Sequence, residues 1–329
     1  MSTSRLRMRT GAVLVAVAML TLAAAGPAAR AAEKILVAVT AIADHPALDA
    51  CRNGVRDALK AAGYVDGKTI KFVFASAKGD PATAADIAHK FVRDKAGVIV
   101  AISTPSAQAA AAATAQIPVV FAAVTDPLGA RIVRDMYTPG GNVTGVSDLS
   151  PVKKHIDLIR TISPKTRRIG ILFNPQETNS YTLVDLMKKT AMGVNMTIVA
   201  APARKPADVP DAAQSLVGKA DVIFIPTDNT VAEALDSVIA VGLEHRIPVY
   251  AADVDAVKRG AIAAIGFDYY SIGWQAGNIA VRVLRGEKPG RIPVGGVEET
   301  RLYVNPPMAA KIGLTLPADL VAQADEVMK

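Results

Sequence analysis

The chain has 329 residues, 51% of them hydrophobic, and 37 basic residues against 30 acidic ones give a net charge of +7. This length exceeds one typical domain, and the hydrophobic fraction is enough to fill two buried cores. The single cysteine, Cys51, excludes an internal disulfide and is expected to be a packed core thiol. Without a polybasic run and with 5% aromatic residues, the sequence lacks the footprint of a nucleic-acid-binding protein.

Residues 1–31 have the pattern of a cleavable export signal. Three early arginines precede an uncharged apolar run over residues 11–25, and Ala29-Arg30-Ala31 matches the small-x-small motif of a signal peptidase site. The apolar run is shorter than the roughly 18–20 residues of a membrane-spanning helix, which favours cleavage after Ala31 over an N-terminal membrane anchor.

The mature chain that this cleavage predicts has about 298 residues and a net charge of about +3, since the signal removes four arginines and no acid. The cleavage point carries no cysteine, so we expect no lipid anchor on the mature N-terminus. An exported protein without a tether would be lost from a cell with one membrane. We therefore expect a protein that is free in the periplasm.

Six short runs rich in valine and isoleucine, without polar alternation, predict strands that are buried on both faces. These runs are Ile35–Val39, Val98–Ile102, Val119–Val124, Ile169–Phe173, Val222–Ile225 and Pro248–Ala252. Amphipathic patterns between them predict helices over Ala47–Ala62, Thr83–Asp94, Thr178–Met192 and Val231–His245. Strands that alternate with helices indicate βαβ units and a doubly wound α/β architecture.

The strand pattern runs twice along the chain, from Lys34 to Val146 and again from Arg167 to Phe267. The segment KAGVIVAISTPS in the first half corresponds to KADVIFIPTDNT in the second. We therefore predict two similar Rossmann-like lobes, each a mostly parallel sheet with helices on both faces, around a central cleft.

The lobes are expected to exchange chain segments. Residues 149–163 would carry the first crossing, after the glycine turn of PGGNVTGVSD and its edge strand. A helix over Tyr269–Arg285 and a final helix from Pro317 would let the tail return to the first lobe and cross again, which makes a hinge. Lobe 1 is then 32–148 plus about 268–294, and lobe 2 is 149–267 plus about 295–329.

Polar side chains follow most of the predicted strands. Ligands of open parallel sheets bind outside the carboxyl ends of the strands, so these residues predict the binding site. Any one of them could simply cap a helix, but capping does not explain the whole set. The candidates are His45, Ser103, Thr104, Thr125, Asp126, Asn174, Glu177, Thr227, Asp228, Asp253 and Asp268.

The candidate residues suggest the chemistry of the ligand. A helix that begins near Ser103 presents backbone N–H groups suited to a carboxylate, and the acids could receive an ammonium or hydroxyl groups. An amino acid needs both kinds of partner. The sequence contains no G-x-S-x-G elbow, P-loop or G-x-G-x-x-G after the first strand, and its four histidines are dispersed. We therefore expect no catalytic residues, no metal and no cofactor.

Several segments together resemble the ABC transporter substrate-binding protein family of the tryptophan and tyrosine type. They are HPALD from His45, TPSAQAA and IPVVFAAVTDP within 104–127, PGGNVTGVSD from Pro139, FNPQETNS from Phe173, IPTDNTV from Ile225 and DYYSIGWQAG from Asp268. The resemblance covers nearly all of the mature chain. It implies a type I periplasmic binding fold with three crossings, an inner-membrane permease and a cytoplasmic ATPase as partners, and ligands such as aromatic amino acids.

Carried over residue by residue, the resemblance implies a ligand carboxylate near Ser103, Thr104 and Thr125, and an ammonium near Asp253 or Asp228. The aromatic ring would need an apolar wall, for which the candidates are Phe121, Phe173, Tyr181, Tyr250 and Tyr269.

Three other functional classes stay open on the sequence alone. A sensory binding protein that presents its ligand to a membrane receptor would use the same cleft. A periplasmic enzyme on this scaffold is a weaker alternative. A repressor of related fold would need an N-terminal helix-turn-helix where this chain has its export pattern. The leading prediction is a monomeric, non-enzymatic receptor for a small carboxylate-bearing solute.

Overall fold

The computed structural model describes residues 34–297 and 299–329, and the predicted signal lies outside this part of the chain. Its strands are β1 (Ile35–Ala41), β2 (Ile70–Ser76), β3 (Val98–Ile102), β4 (Val119–Val124), β5 (Val143–Ser147), β6 (Arg168–Phe173), β7 (Thr197–Pro202), β8 (Val222–Ile225), β9 (Val249–Ala251), β10 (Ala263–Gly266), β11 (Arg301–Val304) and β12 (Glu326–Val327). The helices are α1 (Pro46–Ala61), α2 (Pro81–Arg93), α3 (Thr104–Ala113), α4 (Val152–Ile162), α5 (Thr178–Met192), α6 (Val209–Gln214), α7 (Asn229–Glu233), α8 (Leu235–Glu244), α9 (Asp255–Lys258), α10 (Tyr269–Leu284), α11 (Pro306–Lys311) and α12 (Ala318–Gln323).

The first sheet contains five parallel strands in the order β2-β1-β3-β4-β5. Side chains alternate between its faces, so Val37 and Val39 join one buried cluster while Ala38 joins the other. The first cluster includes residues of α1 and α10, and the second includes residues of α2 and α3. Cys51 lies fully buried in the first of them, as expected for a core thiol.

The second sheet contains seven strands in the order β12-β11-β10-β9-β8-β6-β7. β11 runs antiparallel to β10, and the other pairs are parallel. Hydrophobic clusters cover both faces, which explains why its strands are continuous apolar runs. The doubly wound α/β architecture predicted from the sequence is thus confirmed.

One predicted helix is wrong in its extent. The pattern over Val231–His245 forms two helices, α7 and α8, that meet at Ala234. The Ala232 carbonyl accepts a hydrogen bond from the Arg259 side chain at 2.8 Å, and the Ala234 carbonyl accepts one from Ser237 Oγ at 2.7 Å. Since side chains engage these carbonyls, the break is stabilised by contacts that hydrophobic periodicity does not reveal.

The chain passes between the sheets three times. It leaves the first sheet after β5 and enters the second through α4, then returns after β10 as α10, which packs on α1. Residues after α10 lead back to β11 in the second sheet.

Glycines allow α10 to lie directly against α1. A Cβ on Gly273 would overlap the carbonyl of Cys51 and stand 2.8 Å from the Cys51 Cα, and one on Gly277 would stand 2.6 Å from the Ala58 Cβ. These pairs advance together, so the two helices run in the same direction. Their N-termini therefore meet at the edge of the sheet where its strands end.

Among the residues that the structure describes, no helix is both long and apolar enough to cross a membrane.

Candidate functional site

A cavity lies between the carboxyl ends of the two sheets, as the strand-end rule predicts. The empty space between its walls is about 670 Å³, including the part that is open to solvent. Its polar and charged lining residues are His45, Ser103, Thr104, Thr125, Asp148, Asn179, Thr227, Asp228, Asn229, Asp253, Asp255, Arg259 and Tyr269.

The start of α3 forms one wall. The hydroxyls of Ser103 and Thr104 are buried and have no hydrogen-bond partner within the described part of the chain. Ser103 holds φ = +80°, which costs a non-glycine residue about 1–3 kcal/mol and is typical of functional sites. At this N-terminus the first-turn N–H groups point outward, with the dipole of a ten-residue helix behind them. The wall is therefore suited to an anionic oxygen.

Asp148 lies at the end of β5, where the chain leaves the first sheet. Its carboxylate accepts hydrogen bonds from Thr125 Oγ1 and Tyr269 Oη, each at 3.1 Å. Burial raises the pKa of Asp148 to about 6, although both hydrogen bonds favour the ionised form.

Asp253 approaches the same region from the end of β9. Its carboxylate caps the next turn by accepting a hydrogen bond from the Asp255 N–H at 3.0 Å. Part of its surface opens to the cavity, yet the protein atoms around it raise its pKa to about 6. Neither Asp253 nor Asp148 forms a salt bridge with another described residue. Two acids therefore face the cavity without a paired cationic side chain from the described part of the chain.

A buried hydrogen-bond network supports the opposite wall. Asp228 caps α7 at the Val231 N–H and accepts further bonds from Ser180 Oγ and the Asn174 N–H, both at 2.6 Å. Burial and the nearby charge of Glu177 raise the pKa of Asp228 to about 7.

Glu177 holds the two amides that reach the cavity. It accepts hydrogen bonds from the side chains of Asn179, Asn229 and Thr230. Asn179 Nδ2 donates to Glu177, whereas Asn179 Oδ1 is buried and has no hydrogen-bond partner in the described structure. The Thr227 hydroxyl, which also belongs to the cavity lining, is likewise buried and unpartnered. This wall offers a fixed acceptor and a free hydroxyl.

Two contacts connect the walls across the cleft. His45 Nε2 lies 3.5 Å from Asn229 Oδ1, and Gln108 Nε2 lies 3.4 Å from Thr178 Oγ1. Burial lowers the pKa of His45, so the imidazole is neutral at pH 7.

The remaining lining is mainly aliphatic. Helices α1, α7, α8 and α9 contribute apolar side chains, and the strand ends add more, the full set being Pro46, Ala47, Leu48, Ala123, Ile225, Pro226, Ala232, Leu235, Ala251 and Ala256. Many of these residues are alanines, so this apolar part of the cavity, the aliphatic slot, has walls of short side chains, and Arg259 also lines the cavity.

The structure places seven of the eleven predicted site residues on this cavity: His45, Ser103, Thr104, Thr125, Thr227, Asp228 and Asp253. The other four lie elsewhere. Asn174 and Glu177 belong to the buried network behind the wall. Asp126 accepts a hydrogen bond from the Gly129 N–H in a turn, and Asp268 caps α10.

The predicted aromatic wall is mostly core. Tyr269 lines the cavity, whereas Phe121, Phe173 and Tyr250 pack in the hydrophobic clusters. Tyr181 is 63% exposed. Apart from Tyr269, the apolar part of the cavity lining is therefore aliphatic.

Five polar lining residues were missed in the sequence: Asp148, Asn179, Asn229, Asp255 and Arg259. Asp148 directly follows a strand, so the strand-end rule could have found it had the edge strand been treated like the others. Asn179 is the second residue of α5, Asn229 and Asp255 are the first residues of α7 and α9, and Arg259 directly follows α9. The strand-end rule does not select positions within or after a helix.

A family model described as "ABC transporter substrate binding protein" matches residues 36–328. The chain belongs to the ABC transporter substrate-binding protein family. It is 41% identical over 269 residues to a tyrosine-binding protein of Clostridioides difficile, which covers 82% of this chain and 78% of the relative. The family resemblance seen in the sequence is confirmed.

Two solved structures of this family are informative about conformation. A domain from Streptococcus pneumoniae in complex with L-Trp is 32% identical and matches with a TM-score of 0.87, covering 90% of this chain and 100% of the other. A substrate-binding protein from Clostridium difficile in its ligand-free, open form is 38% identical, yet its TM-score is 0.68 over 90% of this chain and 99% of the other. The present structure therefore superposes more closely on the complex than on the open form. The fold is the type I periplasmic binding fold.

Proposed function

We propose that this substrate-binding protein captures an aromatic amino acid in its zwitterionic form and delivers it to an ABC importer. One observation carries the proposal: one cavity combines unpartnered buried hydroxyls at a helix N-terminus with two acids, Asp148 and Asp253, that have no salt bridge to a described side chain. An α-amino acid satisfies both.

The ligand carboxylate is assigned to the start of α3. The hydroxyls of Ser103 and Thr104 would donate to its oxygens, and the helix N-terminus would stabilise its charge. A buried hydroxyl without a partner costs about 1–3 kcal/mol, so a ligand that supplies the acceptor recovers this energy.

The ligand ammonium is assigned to Asp148 and Asp253. Tyr269 links the two, because its hydroxyl donates to Asp148 and the charge of Asp253 also acts on it. An ammonium between two carboxylates restores their ionised forms. Unpartnered Asn179 Oδ1 and the Thr227 hydroxyl offer a further acceptor and donor nearby.

The ligand side chain is assigned to the aliphatic slot. Its walls include Leu48, Leu235 and Ala256, with Tyr269 near the acids. An aromatic ring fits a slot lined by alanines, and the named relatives support this class, since one is called tyrosine-binding and another is solved with L-Trp.

The proposal includes closure and partners. Lobe 1, residues 32–148 plus about 268–294, would close on lobe 2, residues 149–267 plus about 295–329, around the three crossings. The contacts from His45 to Asn229 and from Gln108 to Thr178 support the closed arrangement. The closed monomer would dock on an inner-membrane permease driven by a cytoplasmic ATPase.

We expect export to the periplasm by the N-terminal signal. Mass spectrometry of the protein from an osmotic-shock fraction should give Ala32 as its first residue, because cleavage is expected after Ala31. A protein that keeps residues 1–31, or that stays with the membranes, would contradict this location.

A thermal-shift screen of the mature protein tests the ligand class. At 100 times its dissociation constant a ligand adds about 2.7 kcal/mol to the free energy of unfolding, so L-tyrosine or L-tryptophan should raise the melting temperature clearly. Aspartate, inositol and simple sugars serve as controls and should have no effect. If no amino acid shifts the melting temperature, the ligand assignment is wrong.

A further inference from the structure

Two polar residues of the cavity lining, His45 and Arg259, take no part in the contacts assigned above to the carboxylate and the ammonium. Both are fixed to the same short helix, α7, since His45 contacts Asn229 and Arg259 donates to the carbonyl of Ala232. The positive charge of Arg259 also lowers the pKa of His45, so the two side chains lie near each other.

The Arg259 guanidinium has N–H groups that can donate to a ligand. Its Nε lies 3.0 Å and its Nη2 2.9 Å from Asp236 Oδ1, and its Nη1 donates to the Ala232 carbonyl at 2.8 Å. A guanidinium has five N–H groups, so one N–H on each terminal nitrogen has no partner within the described structure. The contacts with Asp236 and the Ala232 carbonyl hold the planar guanidinium in place. A ligand that accepts from it therefore loses little binding energy to the ordering of a flexible side chain.

His45 supplies the acceptor. Asn229 Nδ2 donates to Glu177, which turns Asn229 Oδ1 towards the imidazole and makes His45 Nε2 the donor of that pair. The ring is neutral, since burial and the nearby positive charge of Arg259 both lower its pKa. In a neutral imidazole with a protonated Nε2, Nδ1 is an acceptor.

We propose that His45 and Arg259 read a hydroxyl at the distal end of the ligand side chain, which makes the site selective for L-tyrosine over L-phenylalanine. A phenolic hydroxyl accepts from Arg259 and donates to His45, whereas a plain phenyl ring leaves both unpartnered. An indole N–H can only donate, so L-tryptophan would satisfy His45 alone. This inference rests on the proposed function.

The size of the preference follows from the environment. A hydrogen bond to a charged group stabilises a complex more than a neutral one does. However, 26% of the Arg259 side chain is exposed, so water can accept from Arg259 when the ligand is phenylalanine and has no hydroxyl. We expect a preference for tyrosine of about 10- to 100-fold, the range that one or two such bonds give.

Isothermal titration calorimetry of the mature wild-type protein with L-tyrosine and L-phenylalanine makes the first test, and it needs no variant. The second test compares R259M with K258M. Lys258 is the neighbouring residue, pairs with Asp255 at 2.7 Å and is not part of the cavity lining. The ratio of the tyrosine and phenylalanine affinities should fall towards one in R259M, whereas K258M should keep the wild-type ratio.

Equal wild-type affinities for the two amino acids would overturn the inference and leave the proposed function intact. So would a full tyrosine preference in R259M with an unchanged affinity for phenylalanine. If neither amino acid binds the wild type, the proposed function itself fails.

Discussion

Replacing Asp253 by asparagine should weaken the binding of L-tyrosine or L-tryptophan by about 100-fold at pH 7.5, without loss of the fold. Removing one partner of a buried charge pair costs about 2–5 kcal/mol, and each 1.4 kcal/mol is tenfold in affinity. Asparagine keeps the shape and can still accept from the Asp255 N–H. Calorimetry on D253N measures the loss.

The variant D126N is the matched control. Like Asp253, which follows β9, Asp126 is an acid two residues after a strand, in this case β4. It lies outside the cavity lining, and its carboxylate accepts a hydrogen bond from the Gly129 N–H in a turn. Its affinity for the ligand should match the wild type. Equal affinities of D253N and the wild type would remove Asp253 from the ammonium site.

The same acids set the pH dependence of binding. Asp148 and Asp253 have pKa values of about 6, and an ammonium binds their ionised forms. Wild-type affinity should therefore fall as the pH drops from about 7 through 6, with protons released on binding. The variant D253N should show a shallower fall, because Asp148 alone remains to titrate.

The free energy of unfolding of the free protein should change with pH in the opposite direction to the affinity, increasing as the pH falls. The pKa of Asp253 is raised in the folded state from 3.8 to about 6, so the folded state favours the protonated carboxyl. The stability that this protonated form contributes is lost as the pH rises from about 4 through 6. Two pKa units are worth about 3 kcal/mol, reduced by the solvent that reaches the cavity. Free D253N should be more stable than the wild type by about 1–2 kcal/mol at pH 7.5 and equal to it below pH 4.

Replacing Gly273 by alanine should destabilise the protein by about 2–3 kcal/mol. A mid-helix glycine-to-alanine change otherwise stabilises a helix by up to about 1 kcal/mol, so the sign of the effect is decisive. Here the new Cβ would overlap the Cys51 carbonyl, and backbone cannot move aside as a side chain can. Urea denaturation of G273A measures the shift in midpoint.

The variant G296A serves as its control. Gly296 is exposed, has no atom within 4 Å of an added Cβ and does not require a positive φ, so its midpoint should stay near that of the wild type. A G273A protein as stable as the wild type would mean that α1 and α10 do not pack as closely as described.

Much of the fold is visible in the sequence because buried parallel strands are continuous apolar runs. Val98–Ile102 and Val222–Ile225 are strands with the predicted bounds. The break at Ala234 is not visible, since it depends on Arg259, which is distant along the chain.

The candidate site is only partly visible for a similar reason. Asp126 and Asp253 both follow a strand of a parallel sheet, yet only Asp253 faces the cavity. The difference lies in the turn that follows each strand, where Gly129 draws the Asp126 carboxylate away. Strand ends therefore indicate which edge of the sheet binds, and the local turns decide which side chains reach the ligand.

The requirement for both charged groups of an amino acid is the central claim. Calorimetric titration of the mature protein at pH 7.5 with L-tryptophan and with indole-3-pyruvate, which has the same ring and carboxylate but no ammonium, tests it directly. We predict tight binding of L-tryptophan and a keto acid at least about 100-fold weaker, because the keto acid brings no cation to pair with Asp148 and Asp253. Equal binding of the two compounds, or tighter binding of the keto acid, would contradict the assignment of the ligand ammonium to Asp148 and Asp253.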